Sequence, residues 1–191
     1  RHGPFTRRQI PPIRRPGWTL LVQGLDLHRE AAHRMLAPFR FVPDARLDDL
    51  MVSYATDGGG VGPHVDSYDV FLLQAWGRRR WRISRQRDRA LVPDAPLKLL
   101  ADFRAEEEWV LEAGDMLYLP PGVAHDGTAV GECLTYSVGF RAPTYQELLE
   151  PWLTDFADHA AVPGRYADPG LRPARRPAAL PAAMIGRIHD A

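Results

Sequence analysis

The spacing of apolar positions changes along the chain. From Asp48 to Arg141 they come in short runs, LMVSYA, VFLLQAW, RRWRIS, EEWVLEA, DMLYLP and CLTYSVGF. Turn formers separate the runs: DGGG, Trp76-Gly77, PDAP, Ala113-Gly114-Asp115 and PPG. Many short strands at this spacing predict a sandwich or barrel rather than alternating strand and helix units. Ahead of them, PPIRRPG reads as an irregular approach segment and Trp18 to Val22 as a strand. Leu27, Ala31, Met35 and Leu36 fall at helical spacing, which predicts one short helix between Leu27 and Phe39, before Pro43.

The last stretch has a helical period. Thr144 and Glu147 form a capping box, and Tyr145, Leu148, Leu149, Trp152, Leu153 and Phe156 follow on one face. This predicts an amphipathic helix ending near Pro163-Gly164, with Pro151 as a possible kink. Its apolar face has two candidate partners, the chain's own barrel or another subunit. Asp168 to Ala183 reads as a linker into a further helix. The expected division is a β domain over residues 1–141 and a helical segment over residues 142–191.

Composition narrows the classes. With 191 residues and 45% hydrophobic content, the chain can bury one ordinary core. Lys and Arg number 24, and so do Asp and Glu, so net charge provides no pull toward nucleic acid or anionic membrane. The single cysteine, Cys133, rules out an intrachain disulfide and a Cys-rich zinc module, and fits a reducing cytoplasm. No apolar run approaches the roughly 18 residues of a spanning helix, and the first residues lack a signal peptide's apolar stretch, so a soluble, cytoplasmic protein is expected. The chain opens at Arg1 and closes in mid-pattern at MIGRIHDA, and is read as a piece of something longer.

The chemistry is concentrated in two segments. Gly58-Gly59-Gly60-Val61-Gly62-Pro63 leads into His64-Val65-Asp66, and residues two apart on a strand share a face. Gly114 to Leu119 and a rigid Pro120-Pro121-Gly122 turn then deliver His125. Two histidines and a carboxylate make the facial triad of non-haem iron(II) oxygenases, which leaves positions open for a 2-oxo acid and dioxygen. The remaining histidines lack such context and read as solvated or structural.

At these segments the sequence resembles the cupin superfamily: the second fits G-x5-P-x-G-x2-H, and the first fits G-x5-H-x with Asp66 where many cupins carry another histidine. The downstream glutamate of four-ligand cupins is replaced by Ser67-Tyr68-Asp69-Val70. That departure points to JmjC oxygenases, a double-stranded β-helix (jelly-roll) fold, mainly β with flanking helices. Such an enzyme needs a buried cation for 2-oxoglutarate. In Gly77-Arg78-Arg79-Arg80-Trp81-Arg82-Ile83, Arg79 shares the face of Trp81, the expected interior, so Arg79 is assigned to the cosubstrate and Arg78, Arg80 and Arg82 to the outside. Ser53, Thr135 and Ser137, polar residues within apolar strands, are candidate cosubstrate contacts if they face inward.

WTLLVQ, APFR, DDLMVSY, GGGVGPH, YDVFLLQ, GRRRWRI, LYLPPG and YSVGFRAP together resemble the bacterial ribosomal oxygenases that hydroxylate an arginine of ribosomal protein L-sixteen. The resemblance implies a cytoplasmic iron(II)- and 2-oxoglutarate-dependent dioxygenase that hydroxylates the β carbon of an arginine. It also implies a helical dimerisation region, hence a homodimer, and a C-terminal winged-helix domain for which this chain is too short. No direct reading of nucleic acid is expected. A target arginine needs an anionic partner, for which Asp57 at the glycine-loop lip is the candidate, with Tyr68, Trp76 and Tyr118 as walls. The competing reading of Asp57 is a turn residue. The alternatives are a ribosomal histidyl hydroxylase, a cupin isomerase on another metal, and a non-catalytic cupin module.

Overall fold

A computed structural model of the chain describes residues 3–161, 163–167, 170 and 178–189. It divides into two compact units, residues 1–142 and 143–191.

The first unit is built on one seven-stranded antiparallel sheet. Its strands are β1 (Thr19–Val22), β2 (Leu47–Ala55), β3 (His64–Val65), β4 (Val70–Ser84), β5 (Glu107–Leu111), β6 (Met116–Leu119) and β7 (Ala124–Phe140). The order is β1-β2-β7-β4-β5, with β3 on β7 and β6 on β4. VFLLQAW and RRWRIS, which read as separate runs, are one strand of 15 residues. CLTYSVGF is the second half of a strand of 17 residues that already begins before His125. Strands this long twist and need an irregularity to curve. The register slips between Gln74 and Trp76 and again between Trp76 and Arg78.

That irregularity resets which face is inside. Val70, Leu72 and Gln74 are buried before it, and Arg79, Trp81 and Ile83 after it, so the inward parity of β4 changes from even to odd. Gly77 sits at the change with φ +66°, a conformation costly to residues with a Cβ. Such a Cβ would also overlap the carbonyl oxygen of Glu132 on β7.

Between β1 and β2 lie α1 (Leu25–His28) and α2 (Glu30–Met35), followed by a 3₁₀ turn over Ala37–Phe39. The single helix expected from Leu27 to Phe39 is therefore broken, because Arg29 adopts an extended conformation (φ −136°, ψ 114°) between the two pieces. Ala32 and Leu36 pack on Leu50, Val138 and Phe140, which lays α2 against β2 and β7. Asp26 and Asp49 tie the layers: Leu50 N–H donates to Asp26 Oδ1 at 2.9 Å and Gly24 N–H to Asp49 Oδ2 at 2.6 Å. A second cluster, Val70, Leu72, Trp81, Ile83 and Leu119, fills the β4/β6 side.

The second unit contains α3 (Tyr145–His159) and α4 (Ala182–His189). The capping box at Thr144 and Glu147 is formed, and α3 runs through Pro151 to end at His159, short of the expected Pro163-Gly164. The segment read as a linker, Asp168 to Ala183, lies largely outside the described residues.

Gly77→Ala is expected to lower stability by about 2 kcal/mol or more, from left-handed strain plus the clash with β7. Urea unfolding of the two proteins measures it.

Candidate metal centre and the cavity behind it

The glycine loop is held as an extension of the sheet. Gly58 N–H donates to Ala129 O at 3.0 Å and Ala129 N–H to Gly59 O at 2.8 Å. A Cβ at Gly60 would run into the Gly127 carbonyl, so only glycine allows the loop this close to β7. The loop then enters β3, whose register on β7 sets His64 opposite His125 and Val65 opposite Ala124. Asp66 follows, its carbonyl accepting from Gly122 N–H at 2.9 Å, so the Pro-Pro-Gly turn and the His-x-Asp segment are bonded to each other.

Three donor groups converge there. His125 Nε2 lies 3.6 Å from Asp66 Oδ2, His64 Nε2 lies 4.0 Å from Asp66 Oδ1, and one ligand atom from each residue falls within 4.8 Å of the others. Both imidazoles are oriented from behind: His64 Nδ1 contacts Gly62 O at 2.8 Å and His125 Nδ1 contacts Val123 O at 3.0 Å. A carbonyl only accepts, so each Nδ1 carries the proton and each Nε2 keeps its lone pair for a cation. Burial pushes His125 below its ordinary 6.5, with His64 adding to the push, which favours the neutral, ligating form. The donor set and its orientation fit a divalent metal held on one face.

The triad opens on a cavity of about 240 Å³. Arg79 lines it and is only 3% exposed. Its Nη2–H donates to Ser53 Oγ at 3.1 Å and its Nε–H to Cys133 Sγ at 3.4 Å. No carboxylate among the described residues pairs with it. Its neighbours on β4 behave differently: Arg80 pairs with Glu108 at 3.2 Å and Arg82 with Asp126 at 2.6 Å on the outer face. Trp81 lies between Arg79 (5.8 Å from guanidinium to ring) and His125 (6.0 Å between rings). Ser53, Thr135 and Ser137 are buried on the same wall.

The structure brings only Tyr68 of the four expected substrate residues to this cavity, where burial, then Asp66, pushes its phenol up to about 12. The other three do not line it. Asp57 is exposed, and its Oδ1 accepts from Gly131 N–H at 2.7 Å, so it buckles a turn. Trp76 stands half exposed at the bulge. Tyr118 alternates outward from buried Leu119 and donates to Asp69 Oδ1 at 2.6 Å. Sequence reasoning passed over Asp48, Asp49 and Met51, which do line the cavity. Strand alternation back from Ser53 would have found the last two. Burial raises the Asp49 carboxyl above its ordinary value, opposed by the Gly24 N–H.

The JmjC domain family model matches residues 34–148. A ribosomal protein uL16 3-hydroxylase of Escherichia coli is 41% identical over 179 residues, covering 93% of this chain and 47% of that protein. A probable ribosomal oxygenase of Haemophilus influenzae is 38% identical over 136 residues, 70% of this chain and 34% of that one. The chain thus spans less than half the length of these relatives. Among solved structures, E. coli ycfD superposes over 100% of this chain and 51% of its own, at TM-score 0.76 and 38% identity. A structure of YcfD described as a ribosomal oxygenase, in complex with cobalt and 2-oxoglutarate, gives TM-score 0.72 at 37% identity, over 100% of this chain and 49% of that one.

The wild-type chain is expected to bind one equivalent of divalent metal at the triad. Asp66→Ala is expected to weaken that binding by at least about 100-fold while the circular dichroism spectrum stays that of the wild type, because the ligands sit at an open site rather than in the core. Competition titration against a chromophoric chelator reads the affinity.

Proposed function

The chain belongs to the JmjC domain family, with that family's mainly β, cupin-type fold, and on that premise we propose that it is an iron(II)- and 2-oxoglutarate-dependent hydroxylase of a ribosomal protein. The observation that carries this reading is Arg79. A guanidinium cannot be discharged, and a buried one with only neutral partners is a site for an anion. It shares one cavity with a His-Asp-His triad. A dicarboxylate with a 2-oxo group satisfies both ends at once.

His64, Asp66 and His125 would hold the iron on one face, and Arg79 the distal carboxylate of the cosubstrate, with Ser53, Thr135 and Ser137 as neutral hydrogen-bonding neighbours. When bound, iron with 2-oxoglutarate supplies the activation of dioxygen, coupled to decarboxylation of the cosubstrate to succinate. The residues of the chain orient and shield. The apolar walls Val70, Leu72 and Trp81 exclude water around the ligands, and the Nδ1 contacts leave both Nε2 atoms available to the metal they would hold.

The target reading is a cationic side chain, an arginine of uL16 hydroxylated at its β carbon. It is supported by the named E. coli relative and by Asp48, Asp49 and Tyr68 on the cavity lining. A histidine target is the second reading, since a neutral imidazole asks less of those carboxylates. Such a target fits a cytoplasmic site of action. Among the described residues no helix is long and apolar enough to cross a membrane.

With iron, 2-oxoglutarate and uL16-derived peptide, the chain is expected to release succinate. Arg79→Ala should raise the 2-oxoglutarate requirement by roughly 30-fold or more, the loss of a desolvated charge pair. Arg78→Ala and Arg80→Ala should leave it nearly unchanged. Equal effects from all three would sink the assignment.

The apolar face of α3 is assigned to a second copy of the chain. Leu149, Leu153 and Phe156 are each close to half exposed, and Trp152 more so. Sedimentation velocity is expected to find a dimer for the wild type and a monomer for Trp152→Glu, whose buried charge a self-complementary interface would not tolerate.

A further inference from the structure

Cys133 is the one cysteine of the chain and is completely buried. It belongs to a cluster of small side chains with Ala55 and Ala129, and its backbone lies against Gly77 at the bulge. The side chain that meets this cluster is Arg79, which pairs with Ala129 across the β4/β7 ladder. The Sγ of Cys133 accepts from Nε at 3.4 Å while Ser53 Oγ accepts from Nη2 at 3.1 Å. Contacts on two different nitrogens fix both the plane and the rotation of a rigid fork. Nη1 is left without a protein partner among the described residues, on a side chain that is nine-tenths buried and lines the cavity.

We propose that Cys133 is a positioning residue for the cosubstrate-binding cation: its thiol holds the Nε edge of Arg79 so that the Nη1 edge is presented, still fully charged, to the carboxylate of 2-oxoglutarate. This rests on Arg79 being the cosubstrate's cation. The chemistry of the position argues for a thiol. A carboxylate there would pair with the fork and cancel the charge before any ligand arrived. An alkyl group would strand a buried N–H without an acceptor. A thiol is a neutral, weak acceptor that behaves otherwise as a small apolar group, so it sits among alanines and still orients the guanidinium.

The test uses the 191-residue chain loaded with zinc, which holds the site without turnover. Calorimetric titration gives the 2-oxoglutarate affinity, with zinc affinity and melting temperature measured in parallel. Cys133→Ala and Cys133→Val are expected to weaken 2-oxoglutarate binding roughly tenfold, and Cys133→Ser to recover it to within about threefold, because the hydroxyl can take the same N–H. Cys133→Asp is expected to lose detectable 2-oxoglutarate binding, and zinc affinity should match the wild type in every variant. A merely structural cysteine would lower the melting temperature without separating cosubstrate from metal. Arg79→Ala tests the premise: wild-type 2-oxoglutarate affinity in that variant overturns the cation assignment itself. If Arg79→Ala loses the cosubstrate while the Ala, Val and Asp variants at Cys133 bind it as tightly as wild type, only the positioning role falls. Should the Ala and Val variants fail to fold, equal affinities for Cys133→Ser and Cys133→Asp overturn it.

Discussion

A guanidinium stays charged at every pH a cell meets, so wherever the fold buries one, the surroundings must answer for it. Arg79 is answered on two nitrogens by neutral acceptors, Ser53 and Cys133, and at 5.8 Å by the face of Trp81. None of these cancels the charge. A buried cation whose direct contacts are all neutral is a poor place for anything but an anion. The bulge at Gly77 turns Arg79 inward, where Cys133 sits among the small side chains Ala55 and Ala129, and the hydroxyls of Thr135 and Ser137 on the adjacent strand β7 line the same cavity.

Strand β7 relates this cation to the metal ligands. It carries His125 near one end and Cys133, Thr135 and Ser137 toward the other, and β4 pairs with it from Val70 to Ser84. The distance between the two halves of the site is thereby set by a ladder of backbone hydrogen bonds instead of by loops. His64 and Asp66 reach the same strand through only two paired residues, and the glycine loop compensates by bonding to Ala129 and packing on Gly127. Rigid elements hold such constellations more closely than mobile ones do.

The triad was legible in the sequence because its signal is local: two ligands one residue apart after a glycine run, and a third after a Pro-Pro-Gly turn. Arg79 was legible for a narrower reason. Counting back from Trp81 crosses no irregularity, whereas counting forward from Val70 and Leu72 passes the bulge and would have chosen Arg78 or Arg80. The break at Arg29 carries no glycine or proline to announce it, and the α2 residue Ala32 beyond it packs with Leu50 and Phe140. Of the two readings of Asp57, the hydrogen bond from Gly131 N–H supports the turn residue, and that partner, 74 positions away, leaves no mark in the local sequence. Asp49 was missed because an acidic residue on a strand reads as surface. Only the Gly24 N–H that claims one oxygen explains how it turns inward.

Charge then sorts what the cavity admits. Its innermost charged group is the cation, since Arg79 and Thr135 are almost wholly buried, while Asp48 and Tyr68 stand exposed on the same lining. A dicarboxylate passing Asp48 and Asp49 is repelled at the mouth and held only once it reaches the guanidinium, so selectivity for it lies deep. A cationic side chain experiences the reverse: it is attracted at the mouth and repelled from the interior, which stops it short of Arg79 and beside the metal ligands. Asp49 strengthens the second effect, because burial and the flanking Asp48 and Asp26 disfavour its charged form, and an arriving cation relieves that strain. Opposite charges at the two ends of one small cavity therefore favour an anion at the depth of Arg79 and a cation at the mouth.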